Sequence, residues 1–142
     1  AGWQILHAAG ERNEIADPGD PSYRIVPYID RMDLAFALAD AVVSRSGAAT
    51  VSELSALGIP AVYVPYAVGN GEQALNAASA VAAGAAVLIP DAELTGDRIR
   101  SAVVPLLSDA ASLERMRAAA AQVGTRSGSE NVVGLIDRAL AR

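Results

Sequence analysis

The chain has 142 residues, 52% of them hydrophobic, a net charge of −5, one histidine, no cysteine and no lysine, so all 11 basic residues are arginine. Its length suits one domain with a packed core. The missing cysteines exclude disulfides, thiolate metal sites and cysteine nucleophiles, and the single His7 excludes an all-histidine zinc site. The acidic balance argues against a nucleic-acid partner, which normally demands a basic face. No apolar run approaches the roughly 20 residues of a membrane span, and no signal peptide opens the chain. The abrupt start at Ala1 reads as an excerpt from a longer protein.

Short apolar runs alternate with helical patterns along the chain. Residues 3–8 (WQILHA) and 24–29 (RIVPYI) predict strands, separated by a polar loop at 11–21 carrying two prolines. Residues 30–40 switch to a helical period, with Met32, Ala35, Phe36 and Ala39 on one face and Asp30 as a candidate cap. A strand at 41–44 precedes the turn Arg45-Ser46-Gly47, a helix at 48–57 and Gly58 as its C-terminal glycine. A strand at 59–65, a glycine-rich loop at 66–71, a helix at 72–83 ending at Gly84 and a strand at 85–89 come next. Three helices are expected near 95–107, 109–123 and 129–141, the first bent by Pro105. This order predicts an α/β fold, a doubly wound parallel sheet covered by helices, with residues 1–142 forming one domain.

Ligands of such sheets bind beyond the carboxyl ends of the strands. Three loops lie there: residues 29–32, 44–50 and 66–73. The middle loop opens a helix with small residues, which lets backbone N–H groups approach an anion such as a diphosphate. An ordinary turn with Ser46 as N-cap explains the same residues. Thr50-x-x-Glu53 fits a capping box, yet Glu53 in the second turn of a helix starting earlier could accept the hydroxyls of a ribose. In Gly69-Asn70-Gly71-Glu72-Gln73, Gln73 offers sugar hydroxyls a donor and an acceptor together, or the segment is simply a helix start capped near Asn70 or Gly71. A lone histidine such as His7 is more often structural than catalytic. Arg115, Arg117, Arg126 and Arg138 read as solvated helix faces.

The runs Tyr28-Ile29-Asp30-Arg31-Met32, Asp40-Ala41-Val42-Val43-Ser44-Arg45-Ser46-Gly47-Ala48, Thr50-Val51-Ser52-Glu53-Leu54, Gly58-Ile59-Pro60 and Gly71-Glu72-Gln73 with Asn76-Ala77 carry a family resemblance. The chain resembles the C-terminal half of the MurG family, bacterial UDP-N-acetylglucosamine transferases acting on the undecaprenyl-diphosphate-linked muramyl-pentapeptide. The resemblance implies a Rossmann-like, donor-binding half of a GT-B-type two-domain glycosyltransferase that lacks its first strand-turn-helix. By position it gives Ile29 the uracil edge, with Tyr28 and Met32 packing nearby, and Glu53 the ribose hydroxyls. It sets Ser46, Gly47, Ala48, Ala49 and Thr50, with Val51 and Ser52, against the UDP-sugar, where the Ala48 backbone and Gln73 hold the N-acetylglucosamine. Arg45, Glu72 and Asn76 stand near. The implied reaction is inverting transfer, with the base and the lipid acceptor in an N-terminal domain, so this chain alone is expected to be inactive. No metal or other cofactor is implied, and the location is peripheral, on the cytoplasmic side of the cell membrane. Glu72 stands where many members have a second glutamine, and Ala74 where a larger residue is common. A UDP-N-acetylglucosamine 2-epimerase, another UDP-sugar transferase and a non-catalytic sugar-nucleotide-binding module are the alternatives.

Overall fold

A computed structural model describes residues 2–68 and 70–141. They fall into two compact units, Ala1–Leu38 and Ala39–Arg142.

In the first unit, β1 (Ile5–Ala8) pairs in parallel with β2 (Tyr23–Val26), Ile5 opposite Tyr23 and Ala8 opposite Val26. Ala9 and Gly10 extend the ladder by donating to the carbonyls of Val26 and Pro27. The predicted strand at 24–29 stops early because Pro27 has no N–H for the ladder. Residues 9–22 form the crossover without a helix, shaped by Gly10 at φ +83° and by Asp17 and Asp20, whose carboxylates accept backbone N–H groups two residues on. The helix α1 (Met32–Leu38) starts on the carbonyl of Arg31, and Asp33 in its first turn pairs with Arg31; Asp30 does not cap it. Ala35, Phe36 and Ala39 of the predicted stripe are half-buried, whereas Met32 is exposed.

The second unit is a parallel sheet in the order β3 (Val42–Ser44), β4 (Ala61–Tyr63), β5 (Ala86–Leu88). The connections are α2 (Ala48–Leu57) and α3 (Glu72–Ala82). Each helix ends on a left-handed glycine. Gly58 N–H reaches Ser55 O and Ile59 N–H reaches Leu54 O; Gly84 and Ala85 repeat the pattern on Val81 and Ala80. This paired closure satisfies the last carbonyls and needs a positive φ, hence glycine. The chain then enters the next strand within a few residues.

Central strand β4 is wholly buried. Its Val62 packs with Ile89 and Val103, and Leu94, Leu106 and Leu107 close around them. These leucines belong to the predicted helix at 95–107 and its approach, which is in fact three pieces: α4 (Gly96–Arg98), a π-helical turn (Ile99–Val103) and α5 (Val104–Ser108). Pro105 lacks the N–H that an unbroken α-helix would bond to Ser101, so a widened turn before it is the expected distortion. Then come α6 (Ala110–Val123), capped by the Asp109 carboxylate on Ala111 N–H, and α7 (Gly128–Leu140). Met116 and Ala120 of α6 are buried, as are Val51 and Leu54 of α2, the helix it packs against. Backbone meets backbone at the end of α6: a Cβ on Gly124 would lie 2.2 Å from the carbonyl carbon of Ser55.

Candidate functional site

In the second unit, β3 delivers the chain to the start of α2. Gly47 is the N-cap residue, extended at φ −62° and ψ 150°, and no side chain caps the helix. The predicted cap at Ser46 is therefore absent: Ser46 is fully buried, its hydroxyl without a partner among the described residues. Its carbonyl accepts from Asn76 Nδ2 at 3.1 Å, which ties the loop to α3. Because α2 begins at Ala48, the N–H groups of Ala48, Ala49 and Thr50 belong to its first turn and have no acceptor within the helix. With methyl side chains at 48 and 49 and the positive end of the helix dipole behind them, these amides suit an anion.

The capping-box reading of Glu53 also falls. Thr50 lies inside the first turn and Glu53 in the second, exposed, without an ion pair among the described residues. Helical spacing puts Glu53 on the face of Ala49 and Thr50, one turn further along. Ser52 is exposed as well. Val51 differs, because its side chain is in the core and its N–H is spent on Gly47 O at 3.0 Å.

Beyond β4, α3 begins after Gly71, left-handed at φ +74°, and Glu72 stands exposed in its first turn; Gly69 lies outside the described residues. Gln73 turns back to the strand end. Its Oε1 accepts the Tyr66 N–H at 2.9 Å, so its Nε2 donors remain for other partners.

Arg45 links the three strand ends. Its Nη1 donates to the carbonyls of Val64 and Pro65, each at 3.2 Å, and to the carboxylate of Asp91 beyond β5. Its guanidinium also lies over the Tyr66 ring, 5.4 Å from the centroid. The sequence reading missed Asp91. Its position just past the last strand, after Pro90, is the signal that could have found it.

In the first unit, Tyr28 is exposed, Ile29 half-buried and Met32 the first residue of α1. His7 Nδ1 and the Tyr23 hydroxyl are 2.8 Å apart, with the rings edge to face, a structural use of the lone histidine. Two arginines expected on solvated faces are ties instead: Arg117 binds Asp40, and Arg126 donates to Ala56 O. Among the described residues, no group of three or more His, Asp or Glu side chains is placed to hold a metal. Among the described residues, no helix is long and apolar enough to cross a membrane.

A parallel sheet with a small-residue loop and free helix amides at its strand ends places the second unit in the class of open α/β folds, whose ligands bind beyond the carboxyl ends of the strands. The profile of the glycosyltransferase family 28 C-terminal domain matches residues 3–132, through both units, and the chain belongs to that family. It is 54% identical over 141 residues to the UDP-N-acetylglucosamine–N-acetylmuramyl-(pentapeptide) pyrophosphoryl-undecaprenol N-acetylglucosamine transferase of Leifsonia xyli, covering 99% of this chain and 39% of that protein. The Clavibacter sepedonicus protein of the same name is 56% identical, with 99% and 38% covered. Among solved structures, Acinetobacter baumannii MurG superposes with a TM-score of 0.84 at 26% identity, covering 96% of this chain and 41% of that one. The glycosyltransferase of kitacinnamycin superposes at 0.72 and 27%, covering 96% and 35%. The chain thus spans about two fifths of the length of the curated relatives it matches.

Proposed function

We propose that this chain is the donor-binding part of a transferase that moves N-acetylglucosamine from UDP to the muramyl sugar of an undecaprenyl-diphosphate-linked pentapeptide, in peptidoglycan synthesis. The observation that carries the reading is the start of α2: unbonded amides at Ala48, Ala49 and Thr50, with the free Glu53 carboxylate one turn along the same face. The diphosphate lies against those amides, and Glu53 accepts two ribose hydroxyls. Gln73, across the loop that Asn76 ties down, donates to hydroxyls of the sugar. As the glycosidic bond breaks, negative charge grows on the departing UDP, and fixed helix amides stabilise it without reorganising. The acceptor and the base that activates its hydroxyl belong to the remainder of the protein, which associates peripherally with the cytoplasmic face of the membrane. High identity to relatives that bear this transferase name supports the reading.

The test is calorimetric titration of the full-length protein with UDP-N-acetylglucosamine. Glu53→Ala is expected to weaken binding by about 1.5–3 kcal/mol, the scale of charge-assisted hydrogen bonds. Unchanged affinity overturns the ribose assignment. Transfer of labelled N-acetylglucosamine to the lipid acceptor, present in wild type and depressed in the variant, tests the reaction itself.

A further inference from the structure

We infer that Arg45 is a positioning residue that sets which way the Gln73 amide faces, making Gln73 a donor-only reader of the sugar; this rests on the donor-binding reading above. One peptide unit couples the two residues. Arg45 Nη1 donates to the Pro65 carbonyl, and Gln73 Oε1 accepts from the Tyr66 N–H. That carbonyl and that N–H belong to the same planar peptide, so fixing one end fixes the other. Each bond also polarises the peptide in the sense that strengthens the bond at its opposite end.

Arg45 is itself held on several sides: by Asp91 through an ion pair, by Val64 O through a second carbonyl bond and by the Tyr66 ring beneath its guanidinium. The two carbonyls and the carboxylate share the hydrogens of the single Nη1 group, and the guanidinium as a whole lies over the ring, a contact for which a lysine ammonium has no planar counterpart. Because a backbone N–H can only donate, the Gln73 oxygen must face Tyr66. Both Nε2 hydrogens therefore point away from it, and they have no partner among the described residues. A ligand at this position meets donors, so it must offer acceptor oxygens. The same ligand without its sugar gains nothing from this arrangement.

The test uses the full-length protein, with affinities for UDP and for UDP-N-acetylglucosamine measured side by side. Gln73→Ala is expected to lower affinity for the nucleotide sugar roughly tenfold while changing UDP less than about twofold, the scale of one or two hydrogen bonds. Arg45→Gln is expected to produce most of the same selective loss, and to add almost nothing when Gln73 is already alanine. Asp91→Asn, which keeps the fork and removes one restraint, should give a smaller selective loss, and Arg45→Lys should restore only part of the wild-type preference. Additive losses for Arg45→Gln and Gln73→Ala, or equal losses for UDP and the nucleotide sugar in the Arg45 and Asp91 variants, overturn the positioning role. If Gln73→Ala leaves both affinities unchanged, the sugar assignment of Gln73 has failed, and the inference falls with it.

Discussion

The two units are built from the same kinds of segment, short apolar strands and modest helices, yet only one of them has a core. Between residues 2 and 38 no side chain is fully buried: Leu6 is 49% exposed and Leu38 84%. In the other unit Leu54, Val62 and Tyr63 are at 1% or less. The difference lies in the segment that succeeds each strand. After β3 and β4 comes a helix that packs in the same unit, whereas β1 leads into an irregular crossover with two prolines and α1, after β2, has no buried residue. Apolar content alone does not bury a strand; a layer of neighbours does.

The contrast can be broken most directly in the core. Leu54→Ala is expected to cost about 2–5 kcal/mol in urea unfolding, while Leu6→Ala costs about 1 kcal/mol or less. Equal losses would mean that the first unit is as tightly packed as the second. Next in size is the contact of α6 with α2. A methyl at Gly124 has no room against Ser55, so Gly124→Ala should destabilise by about 1–3 kcal/mol, read as a fall in melting temperature. Gly128→Ala, where nothing lies within 4 Å, should leave the melting temperature near wild type. The smallest effect is electrostatic. The Ser112 hydroxyl, then Ser112 and Ala111 amides and Arg115, hold the Asp109 carboxyl below its ordinary 3.8. A depressed carboxyl stabilises the fold above the unfolded pKa and loses that contribution as pH falls through the folded value. Acid should therefore weaken the second unit progressively below about pH 4, and Asp109→Ala should flatten that part of the stability curve. An unchanged acid limb in the variant would remove Asp109 from the account.

Local signals made much of this fold legible. Gly58 and Gly84 mark helix ends because only a left-handed residue closes them, and α2 occupies the predicted span from Ala48 to Leu57. Strand ends were overestimated by one to three residues, since apolar character continues past the end of the strand, as at Tyr28 and Ile29 after β2 and at Val64 and Pro65 after β4. Long-range pairings were not legible. Nothing near Arg45 in the sequence points to Asp91, 46 positions away, and nothing near Arg117 points to Asp40. At the candidate site the residue types were readable and their freedom was not. Only the start of α2 at Ala48 decides that Ser46 is no cap, that Glu53 is unengaged and that the Val51 amide is spent.

Tyr63, at the end of β4, has an optical consequence. Burial raises its phenol from 10.0 to about 12, so folding keeps it protonated where an unfolded chain would release the proton. The sign is opposite to that of Asp109: this contribution is complete below pH 10 and lost as pH climbs through 12. Tyr28 and Tyr66 stand in solvent, but hydroxide reaches Tyr63 only when the central strand opens. In a rapid jump to alkaline pH, the phenolate absorbance of Tyr63 should therefore rise in a slow phase timed by that opening. Tyr63→Phe should erase the slow phase, which makes one residue a clock for the core around it.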